Sequence, residues 1–155
     1  PELIDPEGYV EILRIKKGSC TPKHFLLCTM YQWLGLASLY AVYPFRWDEI
    51  EVDYPRSLRR MAQELPTGYH LACKIDLDGR LVLVDATLDT GLGKLGLPVN
   101  KKWDGKGNTL LPIKPCGEEE LYHPLEARYL QAQGHSKWLA FYNELNHWLD
   151  EVRKP

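Results

Sequence analysis

A chain of 155 residues, 45% hydrophobic and 26% charged, carries enough apolar material for one sizeable core and reads as a single domain over residues 1–155. Its formal net charge of −2 excludes a global basic field of the kind that binds nucleic acid or an anionic membrane surface, and no apolar run approaches the ~20 residues of a bilayer span. The cysteines, Cys20, Cys28, Cys73 and Cys116, are widely spaced with no CxxC pair, which points to free thiols in a reducing cytoplasm rather than to a disulfide framework or a zinc site.

In chain order, Tyr9 to Ile15 reads as a weak strand running into Lys16-Lys17-Gly18. The next stretch, Gly18-Ser19-Cys20-Thr21-Pro22-Lys23-His24, sets a cysteine between turn-forming residues and an apolar run, Phe25 to Leu36. Ser19 or Thr21 can cap a helix, and Pro22 suits its first turn. A helix is therefore expected from about Pro22 to Leu34, with Cys20 at or just before its N-terminus and Gly35 ending it. Phe25, Leu26, Leu27, Cys28, Met30, Tyr31, Trp33 and Leu34 make it apolar nearly all round, as in a helix buried on most sides. Leu36 to Phe45 reads as a strand. Asp48, Glu49, Glu51 and Asp53 lack the spacing of a calcium loop and read as a solvated face. Pro55 to Leu65 has helical spacing, with Pro66 as its stop.

Two strand-like runs, Tyr69 to Leu77 and Arg80 to Thr87, flank Asp78-Gly79, the signature of a two-residue hairpin. Leu88 to Asn108 is glycine-rich and reads as a long loop, with Thr109 to Ile113 as a last strand. Pro124 to Gln133 and Lys137 to Val152 read as helices broken at Gly134. In the second, Trp138, Tyr142, Leu145, Trp148, Leu149 and Val152 form a core-facing stripe. This order predicts an α+β fold, with an antiparallel sheet packed against a buried helix.

The hairpin carries the chemistry. With Asp78 and Gly79 as the loop, Leu77 faces Arg80, and the same register sets Ala72 opposite Asp85. Side chains alternate, so His70, Ala72 and Asp85 share one face, His70 and Asp85 being diagonal neighbours. Leu71, Cys73, Ile75, Leu77, Val82 and Val84 form the other, apolar face. A thiol at a helix N-terminus is stabilised as thiolate. A histidine can take and return its proton, and a carboxylate can fix the imidazole tautomer and stabilise the imidazolium. Cys20, His70 and Asp85 are the candidate catalytic set. Lys23 and His24 read as structural or surface residues, with His24 able to add positive potential near Cys20.

These pieces resemble the transglutaminase-like superfamily of papain-type cysteine enzymes. The matching segments are Gly18-Ser19-Cys20, Gly35-Leu36-Ala37-Ser38, His70-Leu71-Ala72 and Leu83-Val84-Asp85-Ala86-Thr87, within about residues 16 to 90. The resemblance implies a core helix starting at the cysteine, with Cys20 as nucleophile, His70 as base and acid, and Asp85 as orienter. It implies thioacyl chemistry on a peptide or amide, ending in hydrolysis or in acyl transfer to an amine, with no cofactor and no metal. Ala86 stands where the family has proline. The side chain that the family places before the cysteine to help bind the oxyanion is missing from residues 1–19, where Tyr9 is the aromatic available. The alternatives are a domain that keeps the fold but only binds a partner, and an unrelated domain in which all three residues are structural.

Overall fold

Asp78 and Gly79 both adopt positive φ, 55° and 80°. This is the primed turn whose twist matches two antiparallel strands, and the Asp76 carboxylate accepts the Gly79 N–H at 2.7 Å. The computed structural model describes residues 8–124 and 136–154. Its helices are α1 (Glu11–Ile15), α2 (Cys20–Trp33), α3 (Arg56–Gln63) and α4 (Ser136–Arg153), and its strands β1 (Ser38–Phe45), β2 (Gly68–Leu77), β3 (Arg80–Val84) and β4 (Glu120–Tyr122). The strands form one sheet in the order β3-β2-β1-β4, every neighbouring pair antiparallel. The α+β expectation therefore holds at the level of class.

The hairpin register is the one read from the loop: Leu77 pairs with Arg80, Ile75 with Val82 and Cys73 with Val84. Its apolar face packs on α2, where Leu71, Cys73, Ile75, Val82 and Val84 meet Cys28, with Phe25, Leu27 and Tyr31 alongside. The opposite face, with Ala41, Tyr43, Ala72 and Leu83, is covered by Leu111 and Ile113. A further core joins α3 and α4 to the segment after β1. Leu58, Ala62 and Leu65 meet Trp138, Phe141 and Leu145, with Tyr142, Trp148 and Leu149 partly buried against them. The stripe read on the last helix thus faces a core.

Two expected strands do not form. Residues 8–15 make a 3-10 turn and the short α1 instead. Tyr9 stacks edge-on against Phe25 and its hydroxyl donates to Thr29 at 3.1 Å, so the segment lies on α2 with no strand beside it. Thr109 donates its N–H to Leu83 O, but the Leu110 N–H goes to the Asn100 side chain, and Pro112 has none, so no ladder propagates. The sheet is completed by Glu120–Tyr122 paired with Tyr40–Val42. The expected helix at Pro124 to Gln133 lies almost wholly outside the described residues. No described helix is long and apolar enough to cross a membrane.

Candidate active site

Cys20 is the first residue of α2, after an extended Ser19 whose side chain makes no capping bond. The first turn carries no acidic residue, and Pro22 contributes no N–H. The positive end of the helix is thus uncompensated by carboxylates and is open to the charge of a thiolate.

β3 ends at Val84, paired with Cys73. Beyond it Leu71 has no β3 partner, and its N–H serves the Cys20 sulfur. His70 pairs with Tyr43 on β1 and, at the sheet edge, its ring meets the Cys20 thiol. Asp85, one residue past β3, lies over His70, with Oδ2 2.5 Å from His70 Nε2. The diagonal proximity read from the register is realised, and both groups are buried, His70 3% and Asp85 5% exposed, while Cys20 is half-buried. Nε2 faces a carboxylate and so carries the ring proton, which leaves Nδ1 for Cys20.

Asp85 is held on three further sides. Its Oδ1 accepts the Thr87 N–H at 2.8 Å, its own N–H donates to Thr109 Oγ1 at 2.7 Å, and Asn100 donates to its carbonyl at 3.4 Å. Burial opposes its charge, but His70, His24 and the Thr87 N–H together outweigh burial and hold the carboxyl below its ordinary value. Burial likewise opposes the imidazolium of His70, and the bonds to Asp85 and Cys20 override it, raising His70 to about 9. For Cys20, burial pushes the thiol up, while His70, the Leu71 N–H and Thr21 together bring it below the ordinary thiol value. Each partner therefore favours the charged form of the other, thiolate at Cys20 and imidazolium at His70.

His24 differs from the reading that gave it a positive charge. It is fully buried, and burial lowers it to about 4, so the ring is neutral at pH 7. Nδ1 lies 2.8 Å from Cys20 O, and Nε2 accepts the Ala86 N–H at 3.0 Å. Nδ1 therefore carries the hydrogen and donates it to the Cys20 carbonyl. One neutral ring ties the first turn of α2 to the chain just after Asp85. Lys23 supports the same junction by donating to Thr87 O at 2.5 Å.

Tyr9 does not serve Cys20. Its hydroxyl bonds Thr29, nine residues along α2 and about 13 Å from the helix start. Burial raises the Tyr142 hydroxyl to about 12, and the charge of Cys20 adds to the shift. Trp47 packs edge-on to Tyr142 with ring centroids 5.9 Å apart.

No family model, curated protein or solved structure matches this chain. Among the described residues no group of three or more His, Cys, Asp or Glu is placed to hold a metal ion. A cavity of about 350 Å³ lies at the far end of α2, lined by Gln32, Ala37, Ser38, Leu39, Asp76, Leu81 and His123, and touches none of the three site residues.

Proposed function

We propose that this chain is a cysteine-dependent amide hydrolase or acyltransferase with a transglutaminase-like core. The observation that carries the proposal is the array in which Cys20 opens a helix, His70 meets its thiol, and the second nitrogen of His70 is bound to buried Asp85 at 2.5 Å. In that array the Cys20 thiolate attacks the carbonyl carbon of a peptide or amide, forming a C–S bond and an oxyanion. The Cys20 N–H, one of the unpaired donors of the first helical turn, can receive that oxyanion. His70 then gives its proton to the departing amine as the C–N bond breaks, leaving a thioester. Water or a second amine, deprotonated by His70, attacks the thioester and returns the thiol. Asp85 keeps the His70 tautomer and balances the imidazolium through both steps.

One observation favours the binding-module alternative: Tyr9 is turned away to Thr29, so the aromatic read as an oxyanion donor does not serve as one. Two measurements separate the readings. Alkylation with iodoacetamide at pH 6, mapped by mass spectrometry, should mark Cys20 first, well ahead of exposed Cys116. Cys20 labelling no faster than Cys116 would overturn the activated pair. A burst of p-nitrophenol from p-nitrophenyl acetate, equal to one acyl group per Cys20, supports acyl chemistry. Fast alkylation without a burst favours the binding module.

A further inference from the structure

A second thiol on α2, eight residues beyond Cys20, meets a third from the sheet. Cys28 Sγ lies 2.8 Å from Cys73 Sγ, and neither side chain is exposed. That separation exceeds a disulfide bond by only about 0.8 Å. Both residues stand on regular backbone. Cys28 is in the middle of α2, and its carbonyl accepts a 3.4 Å bond from Ser38 Oγ. Cys73 is held on both sides of β2, paired with Tyr40 and with Val84. Joining the two sulfurs requires no loop to move. The thiolate chemistry of Cys20 uses neither.

We propose that Cys28 and Cys73 form a modification site, closed to an intramolecular disulfide by a small-molecule disulfide such as oxidised glutathione. The exchange balances in two steps. One thiol loses its proton and attacks a sulfur of oxidised glutathione, forming a mixed disulfide and releasing a glutathione thiolate, which takes a proton. The second thiol loses its proton and attacks the protein sulfur of the mixed disulfide. The Cys28–Cys73 bond forms, and a second glutathione leaves and is protonated. Two protein thiols are oxidised, and one glutathione disulfide is reduced to two thiols.

The Cys73 contact and burial push the Cys28 thiol far up, so in the native fold Cys28 is a slow nucleophile. Closure is therefore fast while the core is forming and slow once α2 is seated. The bond joins the helix that carries Cys20 to the strand that carries His70, across a sequence separation of 45 residues. It also constrains the unfolded chain over that length. The site stands whether or not Cys20 is catalytic.

The test uses the full chain with Cys20→Ser and Cys116→Ser, in which only this pair can react. The protein is refolded from denaturant in oxidised and reduced glutathione, and a native sample is held in the same buffer. Both are then denatured, alkylated and weighed. Closure in either arm is the expected result: a loss of about two mass units with no alkyl group added. A proteolytic fragment joining Cys28 to Cys73 should accompany it, with a melting midpoint several degrees above that of the dithiothreitol-reduced protein. Two alkylated thiols or two glutathione adducts in both arms would overturn the proposal, and so would a cross-link that lowers the midpoint. If the double variant does not fold, Cys116→Ser with Cys20 already alkylated by iodoacetamide gives the same readout.

Discussion

Cys20 and Cys28 lie on the same helix and are pushed in opposite directions. Burial opposes ionisation at both. Cys20 stands at the helix start, against the imidazole of His70 and the Leu71 N–H, and falls below the ordinary thiol value. Cys28 stands mid-helix against another thiol and rises far above it. Burial therefore does not decide whether a cysteine is inert. The decision rests on which groups share the buried space, and a low-dielectric site strengthens both the favourable and the unfavourable neighbour.

The sharpest way to break this contrast is to remove the neighbour. His70→Ala should slow alkylation of Cys20 at pH 6 by tenfold or more, because each unit the thiol regains removes about nine-tenths of its thiolate. Labelling of Cys116 in the same sample serves as the internal reference. If the Cys20 rate holds, the helix terminus alone sets its reactivity.

His24→Leu tests the neutral ring. It leaves the Cys20 carbonyl and the Ala86 N–H without the ring that bonds them. Each buried orphan costs roughly 1–3 kcal/mol, so urea denaturation should show a loss of about 2–4 kcal/mol. Alkylation of Cys20 should slow in the folded fraction, since its carbonyl is no longer tethered beside Asp85.

Asp85→Asn should have a smaller effect on stability and a clear one on chemistry. The amide oxygen can still accept the Thr87 N–H, so the melting temperature should stay within a few degrees. The amide N–H directed at His70 Nε2 favours the wrong tautomer, and Cys20 labelling near pH 6 should slow severalfold. Unfolding, with unchanged labelling of the surviving fraction, would make Asp85 a structural turn residue.

The smallest effect is a flattened slope. His70, raised to about 9, adds stability that is complete below its unfolded value of 6.5 and fades as pH rises to about 9. Cys20, lowered from 9.0, adds stability that grows over the upper part of that range. Where the two ranges overlap the trends oppose each other, because folding gives a proton to the imidazole and takes one from the thiol. Below pH 6.5, His24 reverses the sign. Its folded value of about 4 means that the unfolded chain binds the extra proton, and stability falls with acidification. Urea denaturation across pH 5 to 9 should show stability falling above about 6.5 and flattening toward 9, with a decline on the acid side. A loss that continues to 9 without flattening would mean that His70 binds its proton without Cys20 releasing one.

Much of this was readable from local chemistry. The Asp78-Gly79 loop sets the hairpin register, and the register brings His70 to Asp85. The turn-formers before Pro22 place Cys20 at the start of α2. His24 was not readable, because its partners are a carbonyl four residues back and an N–H at Ala86, and hydrogen bonds to backbone leave no trace in residue type. Tyr142 escaped for a similar reason: it reads as a core aromatic, and the charge it shares space with depends on how α4 docks. β4 has three residues, too few for a periodic pattern. Tyr9 to Ile15 has strand-like composition, but the ring of Phe25 and the Thr29 hydroxyl offered it a surface on α2 that no strand competed for.

His70 and Asp85 come from one hairpin, and Cys20 comes from a helix that precedes it in the chain. On the ribosome Cys20 is made first, and it emerges as an ordinary thiol. Its sulfur has no imidazole partner until residue 70 is translated, and that imidazole has no carboxylate until residue 85 is. The junction also waits for Thr109 to bind the Asp85 N–H. On the proposed function, Cys20 gains its activating neighbours only after residue 85 has been synthesised, and a nascent or misfolded copy carries no activated thiol to modify its neighbours. The labelling rate of Cys20 during refolding is thus a clock for the moment when the hairpin and α2 come together.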